Sequence, residues 1–93
     1  MLRFTLRQLE AFYWTAKLGT AHAAADHLSL TQPAVSTRIR ELEGTLGLAL
    51  FRRSQQRIEL TAEGINALAY AERVLGAGQD LAAVYRLEYI VAL

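Results

Sequence analysis

Two residues, Ser29 and Leu30, are all that separates two helix-forming segments, and so short a connection leaves little freedom in how the segments pack. Thr20 can cap the first, a short helix through Leu28, whose Ala23, Ala24 and Ala25 let another helix approach closely. Thr31 can cap the second, with Gln32 and Pro33 in the first turn, where proline is tolerated. Val35, Ile39, Leu42 and Leu46 then recur at i, i+4, i+7 and i+11 as one inward stripe, and Gly47 can end the helix. Pro33, Thr37 and Arg40 lie opposite that stripe, flanked by Ala34 and Ser36. The acids are held back to Glu41 and Glu43, which is unlike an ordinary solvated face.

The elements on either side follow from the same signals. Thr5 followed by Gln8 reads as a capping box. Leu6, Leu9, Phe12, Tyr13 and Ala16 then recur at helical spacing until Gly19. After Gly47, Leu50-Phe51 and Ile58 to Leu60 flank a polar, basic stretch, which predicts a small β-hairpin. Its connection, Ser54-Gln55-Gln56-Arg57, has no glycine, which argues against a tight two-residue turn. Thr61 caps a long helix from about Ala62 to the mid-eighties. The expected fold is mainly α: three helices, a hairpin wing and a long linker helix. Helices two and three form a helix-turn-helix, and the hairpin makes it winged. The organisation implied is a winged helix-turn-helix over residues 1–60, a linker or dimerisation helix over 61–88 and a tail over 89–93.

The overall net charge of +1 conceals an asymmetry. Residues 1–60 carry eight Lys or Arg against five acids, a net +3, and residues 61–93 carry two against four, a net −2. A basic N-terminal part and a mildly acidic C-terminal part suggest two jobs. There is no cysteine, which excludes disulfides and fits a reducing, cytoplasmic setting. No signal peptide or membrane-length apolar run is visible. Catalysis finds no support. His22 and Asp26 form an i, i+4 pair that reads as a surface salt bridge or as solvated side chains, because nothing nearby adds a third metal ligand. Ser36 and Ser54 have no base placed by sequence, and no Gly-rich loop offers a phosphate or cofactor site.

What suits the third helix is duplex DNA. A recognition helix presents its N-terminal residues to base edges in the major groove. Gln32 can bond adenine at N6 and N7, and small apolar groups can touch a thymine methyl. The helix N-terminus and the Ser36 and Thr37 hydroxyls suit phosphate oxygens, which acids would repel. Arg52, Arg53 and Arg57 add positive charge on the wing, where backbone or minor-groove contact is expected. The bland alternative, a solvated helix start beside an incidental basic turn, explains each residue singly but not the ordered set.

The stretches "TLRQLEAF", "LTQPAVSTRIRELEGTLGLALFRRS" and "LTAEG" together resemble the N-terminal DNA-binding region of LysR-type transcriptional regulators, from about Phe4 to about Leu81. The resemblance implies a winged helix-turn-helix followed by a linker helix that pairs two subunits, with a two-lobed α/β effector domain normally beyond it. It places base reading at Gln32, Pro33, Ala34 and Thr37, and backbone contact at Thr20, Ser36, Arg38 and Arg53. The wheel and the wing add Arg40 and Arg57. Three departures stand out. Ala21 occupies a position where the family usually packs a bulky aromatic, so lower stability is expected. Thr37 replaces a residue that is often longer and basic. The chain ends at Leu93, where the effector domain would begin.

The linker helix carries two apolar stripes: Ile65, Leu68, Leu75 and Ala82, and, nearly opposite, Tyr70, Val74, Ala77, Leu81 and Val84. One stripe suffices to cover a small domain, so the second predicts another surface, a homodimer that can extend to a tetramer in a full-length form. Gly76 and Gly78 argue instead for fraying. Partners expected are double-stranded DNA and a second copy, with a small-molecule effector only if a C-terminal domain exists, and no membrane. The rival reading is a helical interaction module whose basic face is incidental; steep salt dependence of DNA binding separates the two.

Overall fold

A computed structural model describes residues 2–54 and 57–92. The element order is α1 (Leu6–Leu18), α2 (Ala21–Leu28), α3 (Gln32–Leu46), β1 (Phe51–Ser54), β2 (Arg57–Leu60) and α4 (Ala62–Ala92). Each of the first three helices starts and stops where local chemistry demands. Thr5 Oγ1 accepts from Gln8 N–H while Gln8 Oε1 accepts from Thr5 N–H, both at 3.1 Å, a complete capping box. Thr20 Oγ1 accepts from Ala23 N–H at 3.0 Å, and Thr31 Oγ1 from Ala34 N–H at 3.2 Å. Gly19 and Gly47 end α1 and α3 in the left-handed region, at φ of 93° and 72°.

The core lies where α1 crosses α2 and α3. Leu9, Ala11 and Phe12 of α1 meet Ala24 and Ala25 of α2 and Val35, Ile39 and Leu42 of α3. Ala21, Leu50 and Ala71 complete the buried hydrophobic set. Phe12 also packs on Phe51 of the wing, ring centroids 5.5 Å apart. Leu46, expected in the inward stripe of α3, is exposed instead. It sits in the last turn and borders an open apolar groove of about 480 Å³ with Phe4, Leu48, Tyr70 and Val74.

The wing is an antiparallel pair in the register Phe51↔Leu60, Arg52↔Glu59, Arg53↔Ile58 and Ser54↔Arg57. That register leaves only Gln55 and Gln56 between the strands, so the connection is shorter than the missing glycine suggests. The face of the hairpin that packs on the core, through Phe51 and Leu60, fixes the register ahead of turn propensity. Gln55 and Gln56 themselves lie outside the described residues.

Helix α4 has 31 residues, roughly 46 Å at about 1.5 Å per residue, and outruns the expected end in the mid-eighties. No proline or glycine follows Gly78, and residues 81–92 offer nothing to stop it. No packing boundary falls at Thr61, because Ala71 is completely buried and Leu68 and Leu75 pack on the core. Among the described residues no helix is long and apolar enough to cross a membrane.

Candidate nucleic-acid interface

The turn between α2 and α3 is closed by backbone hydrogen bonds and anchored by the Leu30 side chain. Ser29 takes the left-handed conformation, φ 57°, and its N–H donates back to Ala25 and Asp26 carbonyls. Leu30 N–H donates to Ala25 O at 2.9 Å, and the Leu30 side chain packs against the core. This closes α2, and two residues later Thr31 starts α3 at an angle that points its first turn outward.

On α3, Gln32, Pro33, Thr37 and Arg40 are exposed, while Ala34, Ser36 and Arg38 are half-buried. No acid occupies the first turn, so the partial positive charge of the helix start is not offset. Arg40 Nη2 donates to Thr37 Oγ1 at 3.2 Å, which ties two exposed polar groups of this face together. Thr20 is exposed one helix away; its oxygen already accepts from Ala23 N–H, which leaves its hydroxyl proton for an outside acceptor. On the wing, Arg52 Nε lies 3.4 Å from Glu59 Oε2, a cross-strand pair that offsets part of the wing's positive charge. The side chains of Arg53 and Arg57 lie outside the described residues. The exposed His22 Nε2 and Asp26 Oδ2 stand 3.6 Å apart as an i, i+4 surface contact, and among the described residues no three metal-ligating groups converge.

Two residues outside the expected set hold this face in place. Glu43, grouped by sequence with the displaced acids, turns inward. Its Oε2 accepts from Leu50 N–H at 2.7 Å and Phe51 N–H at 3.2 Å, so a carboxylate of α3 fastens the first strand of the wing. Thr61 fastens the other end. Its N–H donates to Leu50 O at 3.0 Å, its hydroxyl donates to Ala49 O at 2.6 Å, and its Oγ1 accepts from Gly64 N–H at 2.9 Å as the α4 cap. A glutamate seven residues before a buried leucine was the available signal for the first link. Spacing alone does not separate it from a solvated acid.

The linker helix turns one face to the core and another outward. At about 100° per residue, Gly64, Leu68, Ala71 and Leu75 share the inward face. Ile65 was grouped with Leu68 and Leu75, but it lies about 100° from the centre of that face and is 63 % exposed. Tyr70, Val74 and Leu81 are exposed together with Val84 and Tyr85, with Tyr70 at 56 % and Leu81 at 61 %. Arg73 stacks over the Tyr70 ring, 4.6 Å from its centroid.

A recognition-type helix closed by a two-residue turn, a paired wing and a long trailing helix define a winged helix-turn-helix domain. Comparison with known proteins gives the family. Residues 6–65 match the family model of bacterial regulatory helix-turn-helix proteins of the lysR family, and the chain belongs to that family. It is 43 % identical over 76 residues to the HTH-type transcriptional regulator CfxR of Cupriavidus necator, a match covering 82 % of this chain and 24 % of that protein. Among solved structures it is similar to a CbnR DNA-binding domain in complex with DNA, with a TM-score of 0.81 and 35 % identity. That match covers 92 % of this chain and 99 % of the other. A BenM DNA-binding domain bound to catB site 1 DNA is similar at TM-score 0.83 and 29 % identity, covering 89 % of this chain and 92 % of that one. The chain thus spans about a quarter of the length of CfxR and nearly all of the isolated CbnR domain. Its fold is that of LysR-type DNA-binding domains, and these relatives are regulators rather than enzymes.

Proposed function

We propose that this chain binds duplex DNA sequence-specifically as a homodimer and so regulates transcription. The observation that carries the reading is the outward face of α3: Gln32, Pro33, Thr37 and Arg40 exposed, with no acid before Glu41. In this reading Gln32, Pro33, Ala34 and Thr37 meet base edges in the major groove. Thr20, Ser36, Arg38, Arg40, Arg53 and Arg57 meet the sugar-phosphate backbone and set the register. The similar CbnR and BenM domains, solved with DNA, support it. Two recognition helices reach successive major grooves only if held roughly 34 Å, or a multiple, apart. The exposed row Tyr70, Val74, Leu81 on a helix of 31 residues supplies a surface for such pairing. A small-molecule effector belongs to the same reading only if an effector-binding domain exists, and a tetramer only in a full-length form.

Selection of binding sites from random duplexes tests it. The expected result is a consensus of two related half-sites whose affinity falls steeply with salt. A pool with no consensus at any salt concentration sinks sequence-specific reading. A consensus with one unrepeated half-site sinks the homodimer.

A further inference from the structure

The outermost line of α3 runs through Pro33, Thr37 and Arg40, all three exposed. Proline brings no donor to that line and threonine is short, so its reach into a groove rests on Arg40. Arg40 stands two turns beyond Gln32, about 12 Å along the helix axis. Side chains on a helix lean toward its N-terminus, so a long one covers the turn before its own. Arg40 does so: its Nη2 donates to Thr37 Oγ1 at 3.2 Å, which carries the guanidinium back to the level of Thr37. No acid competes for it. Glu43, one turn on, spends its Oε2 on the Leu50 and Phe51 N–H groups. The ion contacts among the described residues lie elsewhere, at His22–Asp26 and Arg52–Glu59. Arg52 is thus tied across the wing and Arg38 is half-buried, whereas Arg40 carries its charge on the reading face.

We propose that Arg40 reads a guanine in the major groove and that Thr37 is its positioning residue, an inference that rests on α3 reading duplex DNA. By place in the sequence alone Arg40 falls among the backbone contacts; the bond to Thr37 turns its guanidinium toward the base edges. A guanidinium has five N–H donors in a planar fork. One Nη2–H goes to Thr37, and one edge of the fork keeps two parallel donors. Guanine presents two acceptors, O6 and N7, to the major groove. Adenine presents an acceptor beside a donor, which two parallel N–H groups do not match. A fork already held at Thr37 also loses less side-chain freedom on binding than a free one.

The test selects sites from random duplexes with the 93-residue chain and titrates each variant on the wild-type consensus and on that site with one guanine replaced. The wild-type consensus is expected to hold a guanine at one fixed position. Arg40→Ala is expected to lose the preference there, roughly ten-fold to a hundred-fold, and to keep the other positions. Arg40→Lys, which keeps the charge without the fork, is expected to lose that preference while keeping the salt slope. Thr37→Val, nearly isosteric, removes the acceptor and is expected to weaken the same preference several-fold; Thr37→Ser is expected to restore it. Tm by circular dichroism checks that each variant folds. A wild-type pool without consensus defeats sequence-specific reading and this proposal with it. A wild-type consensus that Arg40→Ala leaves unchanged, with affinity lowered on all duplexes alike, makes Arg40 a backbone contact and overturns the proposal alone. A guanine preference that survives Thr37→Val overturns the positioning role.

Discussion

Helix α4 contains three glycines, and replacing each with alanine is expected to change stability in opposite directions. In an open helix position alanine is better than glycine by about 1 kcal/mol. Gly76 and Gly78 are open: a Cβ at either would meet nothing within 4 Å. Gly64 is not. A Cβ there would collide with the Leu50 carbonyl oxygen and come within 3.0 Å of the Leu60 side chain. Leu60 can rotate, but the carbonyl cannot withdraw freely, because Thr61 N–H holds it at 3.0 Å while the Thr61 hydroxyl fastens the preceding carbonyl, Ala49 O, at 2.6 Å. Moving it breaks the Thr61 N–H bond and drags the buried Leu50 side chain with it. Overpacking costs about 1–3 kcal/mol, and a backbone contact this far inside van der Waals distance belongs at the upper end, about 2–3, of which helix propensity offsets about 1.

Gly64→Ala is therefore expected to lose about 1–2 kcal/mol, against a gain of about 0.5–1 kcal/mol for Gly76→Ala and for Gly78→Ala. At roughly 4–8 °C per kcal/mol for a domain of this size, Gly64→Ala lowers Tm by about 4–16 °C while the other two raise it. Urea unfolding followed by far-UV circular dichroism measures all three with one protocol. If Gly64→Ala stabilises as the others do, the close approach of α4 to Leu50 is not what requires glycine there, and the argument fails.

The other tests address the interface. Glu43→Ala should cost about 1–3 kcal/mol by stripping two backbone N–H groups of their acceptor, and Glu43→Gln, which keeps an oxygen, should cost less; equal losses in urea melts would show that the carboxylate only fills space. Gln32→Ala should cost roughly 1–3 kcal/mol on the selected site and little on random DNA in a fluorescence titration, and equal losses on both leave Gln32 only a positioning role. Arg53→Ala should weaken binding to all duplexes alike and lower the salt slope by about one unit; unchanged nonspecific binding removes it from the contact set. Replacing Leu68 and Leu75 with alanine should lower Tm, because both pack on the core. Replacing Val74 and Leu81 should spare the fold and shift sedimentation toward monomer, and a wild-type chain that sediments as a monomer at high micromolar concentration defeats the pairing itself.

Where a residue acts through its own backbone or its near neighbours, the sequence was legible. Thr5 with Gln8, Thr20, Thr31 before Pro33, and the glycines at 19 and 47 signal helix ends within one turn, and the structure uses each of them. The inward stripe of α3 was readable as far as Leu42 because one face of a helix has a fixed period. It failed at Leu46, where the helix outruns its neighbour. Contacts across the fold were not legible. Nothing in the spacing of Glu43 shows that it curls back to the wing, and nothing in "LTAEG" shows that its glycine faces a carbonyl fourteen residues earlier. On α4 both apolar stripes have good helical spacing, so the periodicity could not choose between them. Packing against α1 chooses Leu68, Ala71 and Leu75 and leaves Ile65 outside. The Arg52–Glu59 pair depends on hairpin register, which burial sets and turn composition does not.

Leu50 explains how these scattered contacts become one device. Its side chain is wholly buried in the core, its N–H is held by Glu43 of α3, and its carbonyl is held by Thr61 at the start of α4. Gly64 then lets the first turn of α4 lie directly against that carbonyl. The recognition helix, the wing and the linker helix are thus tied through a single residue, and the angle between α3 and α4 is not free to vary. If two copies pair along α4, that angle decides where the two recognition helices point and how far apart they stand. A change at Glu43 or Gly64 that leaves enough stability to fold should then alter the preferred half-site spacing before it alters the preferred bases. A change at Gln32 should do the reverse. Selection from duplex pools with variable spacers reads both, and loss of base preference without any change in spacing in a folded Glu43→Ala protein, which has no oxygen left to hold Leu50 N–H, would separate the joint at Leu50 from the geometry of the dimer.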